Sequence, residues 1–509
     1  MVTMMNRLFD SLWIMLPVLL SSISGIYLLV SSFLSHIGKG ERESGEVPEK
    51  NLHIFVGVVL LISVITALVI VWTKDVDLTL FYLMDDIPVY FHVDALGRLF
   101  VTVTSVIWLA IGFYAFLYMK HEGEEKRFFG FFLIVYAVLL LLEFAGNLVT
   151  LYFFYELMTL TSVPFVLHSG SKESIMAALK YLFYSMCGAY CALFGIYFLY
   201  HYCDTLTFTA GGTLNMTTVS GNAMLLQTAV FLMLIGFGAK AGMIPLHSWL
   251  PTAHPAAPAP ASAALSAIIV KGGVLAIIRT VYYIVGPDFI RGTWVQTAWM
   301  VLTLLTVFMG SMLAYREKVF KKRLAYSTVS QLSYILFGLS LLTPTGFTGS
   351  LLHIVFHACI KCILFLTAGI FIFRTGKTKV EDYTAIGKQM KVTLWCYTFA
   401  SLGLIGIPPM SGFVSKWYLA QGALQSDTGI FRILGPVILL ISALLTAGYL
   451  LPVTIKGFLP GKDAVVEEKR EHIDIMTAVL LVLTVLTILL GLLPNPLIEY
   501  AGDIAVSLY

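Results

Sequence analysis

The chain has 509 residues, of which 58% are hydrophobic and only 12% are charged, and its formal net charge is +3 at pH 7. Soluble globular proteins carry roughly 25% charged residues, so this composition excludes a soluble enzyme and predicts an integral membrane protein. The sequence contains no glycine-rich nucleotide loop, iron–sulfur cysteine set or haem-attachment motif. We therefore expect this chain itself to bind no electron carrier and no metal.

Long apolar runs of about 18 to 28 residues alternate with polar or Pro/Gly-rich breaks, and each run is long enough to cross about 30 Å of hydrocarbon. The first run, from about Leu12 to Phe33, has the length of a retained helix rather than of a cleaved leader. The runs predict an all-α polytopic membrane protein with about 14 transmembrane helices. Their approximate centres are residues 22, 62, 107, 136, 156, 187, 237, 272, 304, 333, 361, 405, 445 and 484.

The charges of the intervening loops predict the orientation. The even-numbered loops hold only Lys74, Arg291 and Arg432, and the odd-numbered loops hold the other loop lysines and arginines. Because cytoplasmic loops carry the excess of Lys and Arg, the odd loops are predicted to be cytoplasmic and both termini to lie outside. We expect the protein to be integral to the cytoplasmic membrane of a prokaryote.

Several basic residues fall inside the predicted spans, where each costs about 2.5 to 3.5 kcal/mol at mid-helix. A single such residue can be explained as a snorkelling side chain or a structural ion pair. A whole set beside buried histidines favours an ion path. The acidic candidates for pairing with them are Glu143 and Glu156. The basic residues are Lys180, Lys240, Lys271, Arg279, Lys361 and Lys416.

The first polar cluster begins with GAKAGMIPLHSWLPTAHPAAPAP. Pro245 removes a backbone hydrogen bond, so we expect the helix that carries Lys240 to break there. Unwound backbone inside a membrane is tolerated only where it lines protein or water. His247 lies two turns beyond Lys240, about 10 Å along the path, and His254 is expected in the loop that follows.

The second polar cluster, LLHIVFHACIKCILFL, places His353, His357 and Lys361 on one helix face over about 12 Å. A metal pair or satisfied core histidines are the alternatives, but no carboxylate or thiolate completes a metal site. Cys359 and Cys362 form a C-x-x-C in an apolar helix, where cysteine is more typical of a packed core than of redox chemistry.

The remaining basic residues lie in two further stretches. Lys271 and Arg279 are two turns apart on one predicted helix. In GLIGIPPMSGFVSKWYL, Pro408 and Pro409 predict a second broken helix with Lys416 near the break. Paired broken helices in corresponding halves of a chain mark the binding or conduction site of repeat-built transporters.

A proton path needs groups that bind and release protons near neutral pH. An unperturbed lysine has a pKa of about 10.4 and holds its proton too tightly. Burial destabilises the charged ammonium, and a nearby carboxylate stabilises it. Glu156 could therefore switch the proton affinity of a lysine by approaching or leaving it, and water-bridged lysines and histidines would form the relay.

Five motifs resemble, in order and spacing, the antiporter-like proton-translocating membrane subunits of respiratory complex I, of Mrp-type cation/proton antiporters (the D-type member) and of energy-converting membrane-bound hydrogenases. The resemblance covers about residues 90 to 460. The motifs are FFYELMTLTSVPFVLHSGSKESIMAALKYLFYS, GAKAGMIPLHSWLPTAHPAAPAPASAALSAIIVKGG, KKRLAYSTVSQLSYI, HIVFHACIKCILFL and GIPPMSGFVSKWYL.

The resemblance implies 14 helices with two inverted five-helix repeats and broken helices 7 and 12. It implies N-terminal helices 1–3 in residues 1–120, a first repeat of helices 4–8 in residues 121–285, a second repeat of helices 9–13 in residues 286–460, and helix 14 in residues 461–509. Glu156, Lys240, Lys271 and Lys416 would form the proton relay. The supporting positions would be Lys180, His247, His254, Arg279, His353, His357 and Lys361.

Three departures limit the resemblance. Lys416 is a lysine where one branch of the family has glutamate, and Asn147 stands where some relatives have an aspartate, so no acid is assigned there. The chain stops at Tyr509 without a long lateral helix, which argues against the arm-bearing subunit of complex I.

Three classes of function follow. The first is the ion-pumping subunit of a redox-driven complex, of the energy-converting hydrogenase or complex I type, in which iron–sulfur clusters and a nickel–iron site would lie on partner subunits. In that class the chain is a translocase that performs no redox chemistry itself. The second is a subunit of an Mrp-type sodium/proton antiporter without redox chemistry, and a non-conducting structural subunit is the third alternative. Other membrane subunits are the expected partners, with hydrophilic redox subunits in the first class, and nucleic acid is not.

Overall fold

Long apolar helices make up most of the chain, because a helix satisfies every backbone N–H and C=O group that hydrocarbon would leave unpaired. The computed structural model describes residues 12–37, 49–84, 87–459 and 471–509. The helices of the first half are α1 (Met15–Ile37), α2 (Glu49–Thr73), α3 (Ala95–Glu122), α4 (Glu125–Glu143), α5 (Leu148–Val166), α6 (Lys172–Tyr202), α7 (Met216–Val219), α8 (Ala223–Lys240), α9 (Leu250–Ala256) and α10 (Ala259–Val285).

The second half of the chain continues the same bundle. Short 3₁₀ turns at Val380–Tyr383 and Ile386–Lys388 lie between two of its helices. These helices are α11 (Pro287–Ile290), α12 (Trp294–Arg316), α13 (Phe320–Ser340), α14 (Pro344–Thr375), α15 (Lys391–Ile405), α16 (Ser411–Gln425), α17 (Phe431–Phe458), α18 (Ile475–Leu492) and α19 (Asn495–Val506).

Eleven helices in the described ranges are long and apolar enough, by length and composition, to cross a membrane. The prediction of a mostly helical membrane protein is therefore confirmed. Three predicted centres, at residues 136, 333 and 405, fall on helices outside this set. The reason is local composition or length: α4 opens on Glu125, Lys126 and Arg127, α13 has Lys321, Lys322 and Arg323 in its first turn, and α15 has 15 residues.

A two-stranded antiparallel hairpin departs from the all-α prediction. Its strands, β1 (Asp77–Met84) and β2 (Ile87–His92), lie between α2 and α3. The segment is too short to span a bilayer, so the sequence predicts a loop, but its β-branched and aromatic residues suit a strand. His92 N donates to Phe144 O and Gly146 N donates to Tyr90 O, both at 2.9 Å, so β2 packs on the α4–α5 turn.

Two helices, α10 and α14, form the centre of the bundle. The apolar windows of both are completely buried, whereas only one third of the window of α1, α17 or α18 is buried. Gly273 of α10 lies so close to α8 that a Cβ would meet Phe237 O at 2.6 Å and Lys240 Cβ at 2.9 Å. Lys240 of α8 therefore packs against α10 two residues after Lys271, at the centre of the fold.

Two stretches of non-helical backbone lie beside lysines. One follows α8, which ends at Lys240, and the other precedes α16, which carries Lys416. The chain leaves α8 at Lys240 and runs through turns to Leu250, with Gly242 at φ +75°. It leaves α15 at Ile405, passes Gly406 at φ +88° and enters α16 at Ser411. Only glycine adopts such φ values without steric cost, so these residues permit both turns. His254, expected in a loop, lies instead in the short helix α9.

Candidate functional site

Lys240 is the last residue of α8 and is completely buried. Its Nζ donates to Tyr181 OH at 2.7 Å and to Thr159 Oγ1 at 2.8 Å. The same Nζ lies 4.5 Å from the centre of the Tyr181 ring, which is close enough for a cation–π contact. Three neighbouring helices, α5, α6 and α8, therefore share one buried ammonium.

Glu156 lies on α5, one turn before the Thr159 that contacts Lys240. Tyr152 OH donates to Glu156 Oε1 at 3.1 Å, and Glu156 Oε2 is buried without a hydrogen-bond partner. In the part of the chain that the structure describes, no ion pair within 4 Å joins Glu156 to Lys240. The structure thus places the carboxylate near the lysine but not in contact with it.

Lys180 and His247 lie around the start of α9. Lys180 Nζ donates to Thr252 Oγ1 at 3.1 Å. His247 is half-buried in the turn that precedes α9, and its Nδ1 has no hydrogen-bond partner. Trp249 Nε1 donates to Ala239 O at 2.9 Å, which ties this turn back to the end of α8. Both predicted residues therefore border the non-helical backbone.

Lys271 of α10 meets the histidines of α14 in the centre of the bundle. Lys271 is 2% exposed, and its Nζ lies 3.1 Å from His357 Nδ1. Nζ also donates to Ala267 O at 2.5 Å within α10. The rings of His357 and His353 stack with centroids 6.0 Å apart. The predicted helix face of α14 is thus turned towards Lys271.

The line of contacts continues from α14 to α16. His353 Nδ1 lies 2.9 Å from Ser415 Oγ, and Lys416 follows Ser415 directly. The Tyr334 ring stacks on His353 at 5.7 Å and has Lys416 Nζ 5.0 Å from its centre. We call Lys271, His357, His353 and Lys416 the polar row.

Lys416 Nζ also holds the end of the preceding helix. It donates to Leu404 O at 2.6 Å and Ile405 O at 2.9 Å, the last carbonyls of α15. A cation at a helix C-terminus is stabilised by the helix dipole. Lys416 therefore connects the polar row to the non-helical backbone between α15 and α16.

Lys361 and His254 lie outside the polar row. Lys361 is completely buried one turn beyond His357, and its Nζ donates to Leu324 O at 3.0 Å. The His254 ring stacks on Phe365 at 4.6 Å, and neither of its nitrogens has a hydrogen-bond partner. These side chains occupy the buried interior between α9, α13 and α14.

Arg279 forms a bidentate ion pair near the end of α10. Its NH1 and NH2 lie 2.5 Å and 2.7 Å from the carboxylate oxygens of Asp94, the residue that caps α3 by accepting from Gly97 N. Burial raises the pKa of Asp94, but the Arg279 guanidinium outweighs burial, so the pKa lies below its ordinary value. A guanidinium does not release its proton in proteins, so Arg279 can act only as a fixed positive charge.

Several polar residues that complete the site were not singled out in the sequence. Thr159, Tyr181, Tyr334 and Ser415 contact the lysines and histidines, and Gln331 Oε1 lies 3.2 Å from His353 Nε2. Hydroxyl and amide residues are common inside apolar helices as packing residues, so no signal within one helix identifies them.

Asn147 stands at the position where some relatives have an aspartate, and its role in this structure is structural. Its Oδ1 accepts from Thr150 N at 2.7 Å and caps α5, and its Nδ2 donates to Pro88 O at 2.8 Å. Over the described ranges, no group of three or more His, Cys, Asp or Glu side chains is arranged to hold a metal ion.

Together, the fold and the site define a polytopic membrane protein in which buried lysines and histidines make contacts across helices and a glutamate lies near one of the lysines. Residues 145–446 match the family described as "NADH:quinone oxidoreductase/Mrp antiporter, TM". The chain belongs to this family, as its motifs predicted, and is an antiporter-like membrane subunit.

The curated relatives come from three kinds of membrane complex. NADH-quinone oxidoreductase subunit N of Desulforudis audaxviator is 32% identical over 72% of this chain and 72% of its own length. Hydrogenase-4 component B of Escherichia coli is 31% identical over 79% of this chain and 62% of its own length. The D-type subunit of the Na⁺/H⁺ antiporter of Alkalihalophilus pseudofirmus is 27% identical over 81% of this chain and 82% of its own length.

Solved structures share the same fold over nearly the whole chain. The Mrp complex from Dietzia sp. contains a chain that matches with a TM-score of 0.82 at 22% identity, covering 98% of both chains. An archaeal membrane-bound sulfane sulfur reductase matches with a TM-score of 0.81 at 22% identity, covering 98% of this chain and 97% of that one.

Proposed function

We propose that the chain is the ion-translocating subunit of a membrane-bound redox-driven complex, of the energy-converting hydrogenase or complex I type. The observation that carries this proposal is the polar row: Lys271 Nζ lies 3.1 Å from His357 Nδ1, the His357 and His353 rings stack, and Lys416 lies over the Tyr334 ring that stacks on His353. Charged residues inside a membrane span are costly and mark ion paths. Protons would move along this row through side chains and bridging water.

The relay begins, in this proposal, beside the non-helical backbone that follows α8. Lys240 receives a proton and passes it towards Lys271, which lies across the close contact between α8 and Gly273 of α10. Glu156, one helical turn before the Thr159 that Lys240 contacts, sets the charge state of Lys240. Lys416 is the last proton-carrying group, and Lys180, His247, His254 and Lys361 supply the proton from the α9 side. Arg279 keeps a fixed positive charge at the far end of α10.

The finer architecture belongs to the same proposal. It comprises 14 transmembrane helices, with two inverted five-helix repeats in residues 121–285 and 286–460, helices 1–3 before them and helix 14 after them. Helix 7 corresponds to α8 and α9, and helix 12 to α15 and α16, each interrupted beside a lysine. The excess of Lys and Arg in the odd loops supports termini that lie outside the cytoplasmic membrane of a prokaryote.

The partners in this proposal are other membrane subunits and hydrophilic redox subunits that carry iron–sulfur clusters and a nickel–iron site. Support comes from the hydrogenase-4 component and the quinone oxidoreductase subunit among the relatives. This chain would contribute no electron carrier to such a complex. Electron transfer in the partners would drive protons, or sodium ions, through it.

A specific observation favours a second candidate, a subunit of an Mrp-type Na⁺/H⁺ antiporter without redox chemistry. The Na⁺/H⁺ antiporter relative matches over 81% of this chain and 82% of its own length, a more even coverage than that of the hydrogenase component. In this case the ion gradient itself would drive exchange through the same residues.

Copurification distinguishes the two candidates. The tagged chain is purified in a gentle detergent, the bound subunits are identified by mass spectrometry, and iron and nickel are assayed. We expect iron–sulfur and nickel-bearing subunits to copurify. Recovery of small membrane subunits alone, free of both metals, would contradict the redox-driven complex and support the antiporter.

A further inference from the structure

Glu143, the last residue of α4, is a buried carboxylate that the relay described above does not use. It is 3% exposed, and its Oε1 accepts a hydrogen bond from Thr104 Oγ1 of α3 at 2.5 Å. Its Oε2 is buried without a hydrogen-bond partner. Because an unpaired buried charge is expensive, a membrane helix is not expected to keep this group without a use.

A small cavity is lined by both Glu143 and Lys271 of the polar row. It is lined by Glu143 from α4, by Thr104 from α3, by Lys271 and Leu275 from α10, and by Ile354 from α14. Its volume is about 10 Å³, which is room for about one water molecule. A single water there could contact both the free oxygen of Glu143 and the side chain of Lys271.

Among the described residues that line the cavity, Lys271 is the charged side chain that can exchange a proton with Glu143. Tyr136 of α4 is occupied by Ser105 of α3 at 2.8 Å. Thr104 of α3 is neutral, and α14 contributes an apolar side chain to the cavity. Asp94 at the start of α3 is committed to Arg279. Throughout the described segments, no basic side chain lies within 4 Å of the Glu143 carboxylate.

We propose that Glu143 is a further proton-carrying residue, which exchanges a proton with Lys271 through one water in this cavity. The inference rests on the proposed function and adds a branch to the polar row. In the transfer, the Lys271 ammonium gives one proton to the water while the water gives another to Glu143 Oε2. Lys271 becomes a neutral amine, Glu143 becomes a neutral carboxylic acid, and the water is restored.

The position of Glu143 gives this branch a direction. The residues that follow it are held by β2 through the bond from His92 N to Phe144 O, so Glu143 lies between Lys271 and the hairpin end of the bundle. The predicted orientation places that end outside. The branch is therefore a route by which the proton on Lys271 reaches the outer side within the first half of the protein.

The test compares assembled complexes carrying E143Q, the matched exposed control E499Q, or K271A, in inside-out membrane vesicles. Glutamine keeps the shape of Glu143 and the bond from Thr104 but cannot carry a proton. We expect E143Q to slow proton transport about 10²-fold, the low end of what a positioned proton carrier contributes, and E499Q to leave it unchanged. Redox-induced or gradient-induced infrared difference spectra should also lose one carboxyl band in E143Q.

Other outcomes distinguish a failure of the Glu143 inference from a failure of the proposed function. Wild-type transport in E143Q, together with loss of transport in K271A, would overturn the role of Glu143 and leave the polar row intact. Wild-type transport in both would overturn the proposed function itself. If E143Q fails to assemble, the same transport assay on the L275F variant tests the inference. The larger side chain fills the cavity while Glu143 and Lys271 are kept. Normal transport by assembled L275F, beside the exposed control L493F, would contradict the inference.

Discussion

Lys240 is a buried side chain whose hydrogen-bond partners do not depend on it alone. Its ammonium is held by Thr159 and Tyr181, but Tyr181 OH also lies 2.7 Å from Ser162 Oγ. Removal of the lysine therefore leaves these hydroxyl groups with partners, and no charge remains unpaired. Burial of an ammonium is itself costly, so its loss should not prevent assembly.

The first prediction is that Lys240→Ala abolishes ion translocation and leaves assembly largely intact. Transport should fall by about 10²- to 10⁴-fold, the range that a positioned proton-transfer group contributes. Ion uptake by vesicles and subunit content after purification measure the two effects. Lys456→Ala, at an exposed position of α17, is the control. Unimpaired transport by an assembled Lys240→Ala complex would contradict the relay assignment.

The second prediction concerns Glu156, which lies near Lys240 without an ion pair. Glu156→Gln keeps an oxygen for Tyr152 and removes the negative charge that is proposed to control Lys240. We expect transport to slow strongly while the protein stays folded. Near-normal transport rates in the same vesicle assay would contradict the proposed control of Lys240 by Glu156. They would not contradict the proposed relay through the lysines and histidines.

Gly273 of α10 packs directly against the end of α8, where Lys240 lies. Any side chain there would meet backbone atoms at Phe237 O and Ala241 N, at 2.6 Å and 3.2 Å. Backbone atoms inside a packed bundle cannot move aside as the end of a flexible side chain can. The glycine therefore sets the distance between the helices that carry Lys240 and Lys271.

The third prediction is that Gly273→Ala destabilises the protein by about 1 to 3 kcal/mol, as expected for overpacking, and slows transport by displacing Lys240. Gly502→Ala in α19 is the matched control, since a Cβ there meets nothing within 4 Å. Alanine at that helical position should be neutral or stabilising, by up to about 1 kcal/mol. Thermal unfolding in detergent compares the two variants, and equal unfolding temperatures would show that the close contact is not required.

The start of α18 is held to the bundle by a polar clamp that joins distant parts of the chain. Arg374 at the end of α14 bonds Glu471 Oε1 at 3.0 Å and Asp474 Oδ2 at 2.9 Å. Glu471 is 3% exposed and also accepts from Val392 N and Thr393 Oγ1 at the start of α15. Three helices, α14, α15 and α18, therefore share one clamp beside the helix that leads to Lys416.

The fourth prediction is that Arg374→Ala loosens this clamp and lowers the free energy of unfolding by about 1 to 3 kcal/mol, because Glu471 keeps its other donors but loses its cation. Lys318→Ala is the control, since its ion pair with Glu381 is exposed at 3.6 Å and such pairs contribute at most about 1 kcal/mol. Thermal unfolding and limited proteolysis after residue 459 measure the effect. Similar stability of both variants would exclude a structural clamp.

Much of the fold and part of the site were predictable from single segments of the sequence. Apolar runs predicted the membrane class, and the His353–His357–Lys361 spacing predicted one face of α14. The five motifs predicted the family, which the match over residues 145–446 confirms. The relay roles and the repeats stay predictions. The hairpin was missed because its strands, although rich in β-branched and aromatic residues, are too short to span a bilayer, and their contacts with the α4–α5 turn join segments that are distant in sequence.

The sequence alone determined that this is a membrane protein with lysines and histidines inside its spans. Both signals, the length of an apolar run and the presence of a costly charge within it, can be read from a single segment. Only the tertiary structure decided which residues meet. Lys271 and His357 are 86 residues apart, Lys240 and Thr159 are 81 apart, and Arg279 and Asp94 are 185 apart. Helical periodicity fixes which face a residue occupies, but the partner of that face depends on how the helices pack.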